Sequence, residues 1–112
     1  MKQTILRFFG IAAILILVIT PRTSSAQAAP DATQVAAGEQ IYADYCSSCH
    51  GEGLKNTSGG VTFDLRRLRA QDRDRFFSST LDGKRQMPPW RGALEEQQIE
   101  AIWAYVRATV DR

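Results

Sequence analysis

The five consecutive residues Cys46, Ser47, Ser48, Cys49 and His50, written CSSCH, hold both cysteines and the one histidine of this 112-residue chain. The softest potential ligands of the protein are therefore concentrated in one short segment. Two cysteines at this spacing permit four chemistries: a redox-active thiol pair, a structural zinc site, a disulfide, or covalent attachment of haem. The segment constrains what the chain can fold around more than any other feature.

Three of these chemistries account poorly for the rest of the sequence. A thioredoxin-like thiol pair lies in a βαβ pattern, which is absent here. A structural zinc site needs four ligands, and this chain offers one cysteine pair and one histidine. A disulfide between Cys46 and Cys49 is compatible with an oxidising compartment, but it would close only a tiny loop and would give His50 no role.

Covalent haem explains all three residues, because C-x-x-C-H is the attachment signature of c-type haem. On a helix, cysteines three residues apart lie on one face and can reach both vinyl groups. The adjacent His50 then points its imidazole at the iron. We therefore expect one covalent haem c, attached through Cys46 and Cys49.

A haem iron held by one histidine needs a second axial ligand or leaves a site open. The chain has no second histidine, so bis-histidine ligation is excluded, and Met87 is the one methionine besides Met1. Met87 lies in the segment QMPPW, where Pro88 and Pro89 disfavour helix and hold the thioether in one place. We expect His50 and Met87 to ligate the iron.

The first 28 residues have the layout of a secretory signal peptide. Lys2 and Arg7 precede an apolar run of 13 residues, from Phe8 to Thr20, and an A-x-A site follows at 26–28. A membrane-spanning helix needs about 20 residues, so a permanent anchor is the weaker interpretation. We expect cleavage after Ala28, or alternatively after Ala26, a mature domain over residues 29–112, a periplasmic location, and no stable membrane span after processing.

Loss of this segment would change the charge balance of the protein. The full chain has 14 basic and 12 acidic residues, but Lys2, Arg7 and Arg22 lie in the expected signal, which leaves a formal charge of about −1. The basic character of the whole chain is therefore partly a property of the export segment. It does not indicate a general affinity for nucleic acid.

The mature sequence predicts an all-α domain with long loops between short helices. Apolar residues at helical spacing mark a helix over 33–45, capped by Asp31 or Thr33, a second over 72–83, and a last one that carries Ile99 to Val110. A shorter helix is predicted over 64–70, with Asp64 as its cap and two leucines facing inward. Residues 51–62, rich in Gly, Ser and Thr, are expected to form a loop.

The segments GEQIYADYCSSCHGEGL, QMPPW and IEAIWAYVRA together resemble a small class I cytochrome c, from about residue 36 to residue 110. The resemblance implies the class I cytochrome c fold, with three to five short helices around a covalent haem. In that family a glycine and an aromatic of the first helix meet an aliphatic and an aromatic of the last. Gly38 and Tyr42 match the first pair, and Ile102 and Tyr105 match the second. Close approach of the last helix would explain a glycine that costs its own helix about 1 kcal/mol.

One departure from the resemblance concerns the ligating histidine. Many relatives carry a proline beyond the attachment site, whose carbonyl accepts the ring proton of that histidine. The matching segment here, GGVTFDL, has no proline. We expect a backbone carbonyl within residues 61–63 to take this role, because an unoriented histidine would be a poor ligand.

The expected function is transfer of single electrons rather than enzymatic catalysis, because histidine and methionine together leave no vacant site on the iron. The run GGVTFDLRRL, followed by MPPW, is similar to cytochromes that accept electrons from periplasmic quinoprotein alcohol dehydrogenases. This similarity implies such a dehydrogenase as donor and a terminal oxidase as acceptor. Two alternatives stay open: a haem subunit held within a dehydrogenase complex, and a haem enzyme or gas sensor with an open distal site.

Redox partner proteins are expected to dock at the exposed haem edge through a small, transient interface. Five arginines and two acidic residues lie between Arg66 and Arg75, so this face could steer an acidic partner, or it could be an ordinary solvated surface. Trp90 and Arg91 are candidates to bind a haem propionate. Four further side chains could either line the haem or belong to the general core: Leu54, Leu65, Leu68 and Phe77.

Overall fold

The computed structural model describes residues 30–112, so the expected signal segment over residues 1–28 lies outside it. The described residues form four α-helices and no β-strand: α1 (Ala32–Tyr45), α2 (Ser47–His50), α3 (Arg73–Asp82) and α4 (Glu96–Val110). Three single 3-10 turns lie in the connecting loops, at Glu52–Leu54, Leu65–Arg67 and Ala70–Asp72. The prediction of an all-α domain with short helices is confirmed. No helix in this part of the chain has the length and apolarity needed to cross a membrane.

The first and last long helices cross in direct backbone contact. A Cβ atom built on Gly38 would lie 1.8 Å from the carbonyl oxygen of Ala101 and 3.0 Å from the amide nitrogen of Ile102. One turn further along α1, the ring of Tyr42 packs against that of Tyr105, with 5.3 Å between their centroids. The predicted crossing is therefore confirmed, and it explains why a glycine occupies the interior of α1.

Helix α1 leads directly into the attachment segment. Asp31 caps the start of α1, where its carboxylate accepts a hydrogen bond from the Thr33 amide at 3.2 Å. The helix ends at Tyr45, and Cys46 forms the junction with α2, with φ −117° and ψ −32°. The spacing alone suggested that both cysteines lie on one continuous helix. Instead, Cys46 lies at a bend and Cys49 lies inside α2.

Helix α4 supplies the centre of the core. Four of its apolar side chains, spaced as predicted, are buried: Ile99, Ile102, Trp103 and Val106. The ring of Phe76 on α3 packs against that of Trp103, with 5.1 Å between centroids, and so joins the third helix to the fourth. Full burial of one such side chain contributes about 1.5–3 kcal/mol, so this face of α4 contributes strongly to the stability of the domain.

The predicted helix over residues 64–70 is wrong in detail. Asp64 caps only a single 3-10 turn, and Leu68 then adopts an extended conformation, with φ −68° and ψ 137°, in which its side chain is buried. The carbonyl oxygen of Leu68 accepts a hydrogen bond at 2.7 Å from the guanidinium of Arg107 on α4. In this extended conformation the carbonyl makes a tertiary contact in place of a helical one.

Candidate haem site

The two cysteines are both free thiols in different environments. Cys46 is partly buried at the α1–α2 junction, whereas Cys49 is exposed. Burial, and then the neighbouring Cys49, raise the pKa of the Cys46 thiol to about 11. The Cys46 sulfur is therefore present as a thiol near neutral pH.

His50, the last residue of α2, is oriented by a contact with the following loop. Its Nδ1 atom lies 3.1 Å from the carbonyl oxygen of Phe63. With the ring proton on Nδ1, the imidazole donates to this oxygen and leaves the Nε2 lone pair free to bind a metal. Phe63 lies within residues 61–63, where the sequence predicted an acceptor.

Met87 lies in a tight turn fixed to the end of α3. Lys84 and Met87 exchange two backbone hydrogen bonds, of 3.1 and 3.0 Å. Gly83, which ends α3, has φ +75°, and a Cβ there would lie only 2.7 Å from the Met87 carbonyl oxygen, so a larger residue would displace the turn. Beyond Met87, the amides of Trp90 and Arg91 donate to the carbonyls of Thr80 and Leu81 at 3.0 and 3.1 Å.

An aromatic contact joins the attachment segment to the Met87 turn. The ring of Tyr45, the residue before Cys46, packs edge-on against Trp90, with 5.6 Å between centroids and 73° between planes. Sequence reasoning missed this contact, although both aromatic residues directly flank predicted site segments. Arg91, a candidate for a haem propionate, forms an ion pair with Asp82 at 2.6 Å.

The exposed surface around the motif fits a porphyrin. The large apolar side chains that the described part of the chain exposes are Tyr45 at 48%, Val61 at 76% and Phe63 at 44%. All three belong to segments that flank Cys46 or contact His50. Apolar rings and branched chains beside two thiols and an imidazole form the surface that a porphyrin would cover. The residues present therefore fit a covalent haem.

The four core candidates divide into two groups. Leu54 and Leu68 are 0% and 3% exposed and belong to the buried core cluster, whereas Leu65 and Phe77 are partly buried and pack against it.

Among residues 30–112, no group of three or more His, Cys, Asp or Glu side chains is placed to bind a metal ion.

The arginines between residues 66 and 75 differ in how they are neutralised. Arg66 forms a forked ion pair with Asp64, at 2.8 and 2.9 Å, and Arg73 pairs with Glu100. Arg75 lies with its guanidinium 4.9 Å from the centre of the Phe63 ring and 3.9 Å from Asp72. Neither of the remaining two arginines of this face, at positions 67 and 69, has an ion-pair partner among the described residues. A depression of about 660 Å³ is lined by this basic face.

A family comparison agrees with this site. Residues 33–106, about two thirds of the chain, match the family model described as cytochrome c oxidase, cbb3-type, subunit III. The chain belongs to this cytochrome c family. The cytochrome therefore binds haem c covalently and takes part in electron transport, as the sequence predicted.

Individual relatives of the cytochrome fall into two groups. Cytochrome c6 of Nostoc is 28% identical over 108 residues, which cover 94% of the chain and 95% of the relative. Cytochrome c6 of Leptolyngbya boryana is 30% identical and covers 63% and 87% of the two chains. Quinohemoprotein alcohol dehydrogenase ADH IIB of Pseudomonas putida is 39% identical over 70% of this chain, but the match spans only 11% of that enzyme. No solved structure matches the chain.

Proposed function

We propose that the protein is a single-electron carrier whose one haem is attached through Cys46 and Cys49 and ligated by His50 and Met87. The observation that carries this proposal is the contact of 3.1 Å between His50 Nδ1 and the Phe63 carbonyl oxygen. This contact leaves Nε2 as the ring nitrogen free for iron, and its carbonyl acceptor is the kind of partner that orients a metal-binding histidine.

The haem and the residues of the site have different roles in electron transfer. Haem, when bound, supplies the one-electron chemistry. His50 and Met87 complete the ligand set, and a methionine ligand favours a higher potential than a second nitrogen donor would. The two backbone hydrogen bonds between Lys84 and Met87 would limit movement of the methionine when the oxidation state changes. Ligation by both residues would leave a substrate no site on the metal.

Substitution of Met87 tests the ligand set. Protein matured in a host competent for export and haem attachment is expected to be coloured and to show a methionine–iron charge-transfer band when oxidised. Met87→Ala is expected to abolish the band, whereas Gln86→Ala, at the exposed neighbouring position, is expected to keep it. Colourless protein would refute the attached haem. An unchanged band in Met87→Ala would refute methionine ligation, and a high-spin wild-type spectrum would favour the enzyme or gas sensor.

We also propose that the carrier works in the periplasm between a quinoprotein dehydrogenase and a terminal oxidase. Support comes from the two quinohemoprotein alcohol dehydrogenases of Pseudomonas putida, each matched over 11% of its length, and from the oxidase named in the family description. The competing proposal, a subunit of a complex, draws on the same matches. Size-exclusion chromatography of native extract distinguishes them, since a carrier elutes as a small monomer and a subunit elutes with its enzyme.

Docking of a partner is proposed to use Arg67 and Arg69, the two arginines of the basic face without an ion-pair partner in the described chain. Positive charge beside Phe63, whose carbonyl contacts His50, would steer an acidic surface toward the haem edge. The double variant Arg67→Gln/Arg69→Gln is expected to slow oxidation by hexacyanoferrate(III) and to flatten its salt dependence. Gln34→Glu/Gln97→Glu changes the net charge equally at exposed positions elsewhere, and equal slowing by both pairs would refute a local effect.

A further inference from the structure

The loop between the attachment segment and Leu65 has a composition typical of flexible segments, but hydrogen bonds hold it in one conformation. Gly59 and Gly60 both have positive φ, of 64° and 96°, and a Cβ on either would meet nothing within 4 Å. Adjacent glycines of this kind give a chain wide conformational freedom. Without a proline, which would fix φ, other interactions have to hold the carbonyl that faces His50.

Two polar side chains, those of Asn56 and Ser58, supply those interactions. The Asn56 amide donates from Nδ2 to the carbonyl oxygen of Thr62 at 2.8 Å. Ser58 donates from its amide and its hydroxyl to Asn56 Oδ1 at 2.8 and 2.6 Å, and its Oγ accepts from the Thr62 amide at 3.0 Å. Both backbone polar groups of Thr62 are thereby satisfied by side chains, which fixes the peptide plane that leads into Phe63.

The Thr62 hydroxyl then ties this network to the attachment helix. Its Oγ1 lies 3.0 Å from the carbonyl oxygen of Cys49 and 2.9 Å from Ser58 Oγ, and its single proton serves one of these oxygens at a time. The contact between residues 62 and 49 is directly adjacent to the contact between residues 63 and 50. Two successive residues of the loop thus contact two successive residues of α2.

We infer that Thr62, supported by Asn56 and Ser58, is a positioning residue for the axial histidine, and that it performs the orienting role that a proline has in other members of the family. Thr62 acts through Phe63, whose carbonyl polarises the Nδ1–H bond of His50. That hydrogen bond would make the imidazole a stronger donor, which would favour the oxidised form of a bound haem iron. The inference rests on the proposed ligation by His50.

Thr62→Val tests this role, because valine keeps the branched shape and removes the hydroxyl. Thr57→Val is the matched control, since Thr57 is exposed and makes no side-chain hydrogen bond with other described residues. In Thr62→Val we expect the reduction potential to become more positive and the exchange of the His50 Nδ1 proton in the reduced protein to quicken by up to about tenfold, the effect of one lost hydrogen bond. The control should match the wild type in both measurements.

The possible outcomes separate this inference from the proposed function. If the wild type shows no His50 ring-proton resonance shifted by a haem, ligation by His50 fails and the inference fails with it. If that resonance is present and Thr62→Val leaves both measurements unchanged, only the inference is overturned. If Thr62→Val yields no holoprotein, Asn56→Ala replaces it, because this variant removes the hydrogen bond to the Thr62 carbonyl. The inference then requires that Asn56→Ala raise the reduction potential and quicken exchange of the His50 ring proton.

Discussion

The carbonyl oxygen of Ala101 occupies the space beside Gly38 so closely that a side-chain carbon there would lie only 1.8 Å away. The neighbour is backbone rather than a flexible side chain, so it cannot move aside without displacing helix α4.

The variant Gly38→Ala is therefore expected to destabilise the holoprotein by about 1–3 kcal/mol, the usual cost of overpacking, even though alanine favours the helix by about 1 kcal/mol. Ala37→Val adds bulk at the adjacent exposed position and should cost less than about 1 kcal/mol. Denaturant unfolding monitored by circular dichroism measures both. Equal stability of Gly38→Ala and the wild type would show that the helices can separate freely.

A buried hydroxyl makes a second prediction possible. Tyr42 donates from its hydroxyl to the Gly51 carbonyl oxygen at 2.6 Å, directly after His50. Removal of the hydroxyl in Tyr42→Phe should lower the free energy of unfolding by about 1–2 kcal/mol, because the carbonyl loses its partner. Tyr45→Phe, which alters a ring that is 48% exposed, should have little effect and serves as the control.

The same tyrosine predicts a loss of stability in alkaline solution. Burial, followed by the influence of Cys46 and Tyr105, raises the pKa of Tyr42 above the value near 10 expected for an unfolded chain. The folded protein therefore retains a proton that the unfolded chain releases, so stability is present below about pH 10 and falls as the pH rises further. Unfolding measured from pH 8 to 11 should show a smaller fall in Tyr42→Phe; parallel curves would contradict this assignment.

Asp64 predicts the opposite dependence in acid. Its hydrogen bond to the Arg66 side chain, and then to the Arg66 amide, lowers the pKa of the carboxyl. Stability is then present above the unfolded value of about 3.9 and is lost as the pH falls through the lower folded value. Asp64→Asn keeps a capping side chain but loses the ion pair, so its stability deficit should disappear once the pH lies below the lowered folded pKa of Asp64. Asp64→Ala also loses the cap, at about 1 kcal/mol, and should retain a deficit in acid.

Backbone strain in the Met87 turn gives a matched pair of glycine variants. Arg85 has φ +58°, a conformation that costs a residue with a side chain about 1–2 kcal/mol, whereas its neighbour Gln86 has a negative φ. Both substitutions lower stability by increasing the conformational entropy of the unfolded chain. In Arg85→Gly the relief of backbone strain offsets this loss, whereas Gln86→Gly relieves no strain. Arg85→Gly is expected to be the more stable by about 1 kcal/mol in thermal unfolding. The reverse order would place the strain elsewhere in the turn.

Sequence patterns predicted the helices and helix ends that depend on interactions between residues close together in the chain. The spacing of Ile99 to Val106 fixes a helix, Asp31 caps α1, and Gly83 ends α3. Patterns could not place contacts that depend on tertiary structure. Leu68 is extended where local propensity favoured a helix, and its carbonyl accepts from Arg107, 39 residues later.

The choice of Phe63 as partner of His50 depends in the same way on how the loop folds back over α2. Residues 61–63 each have a backbone carbonyl, and the sequence does not indicate which of the three contacts His50. The pairing of Arg73 with Glu100 joins α3 to α4 and likewise follows from packing, so the sequence alone could not separate the neutralised arginines from Arg67 and Arg69.

The crossing of α1 over α4 also bears on how the polypeptide acquires its fold. The ring of Tyr42 on the first long helix packs against that of Tyr105, which is synthesised much later, so closing this contact requires a large loop and its entropy cost. A chain that lacks Glu96–Val110 has neither the backbone that Gly38 contacts nor the Tyr105 ring that packs on Tyr42. The packing that holds the helix before the attachment segment is therefore complete only when the last helix is present.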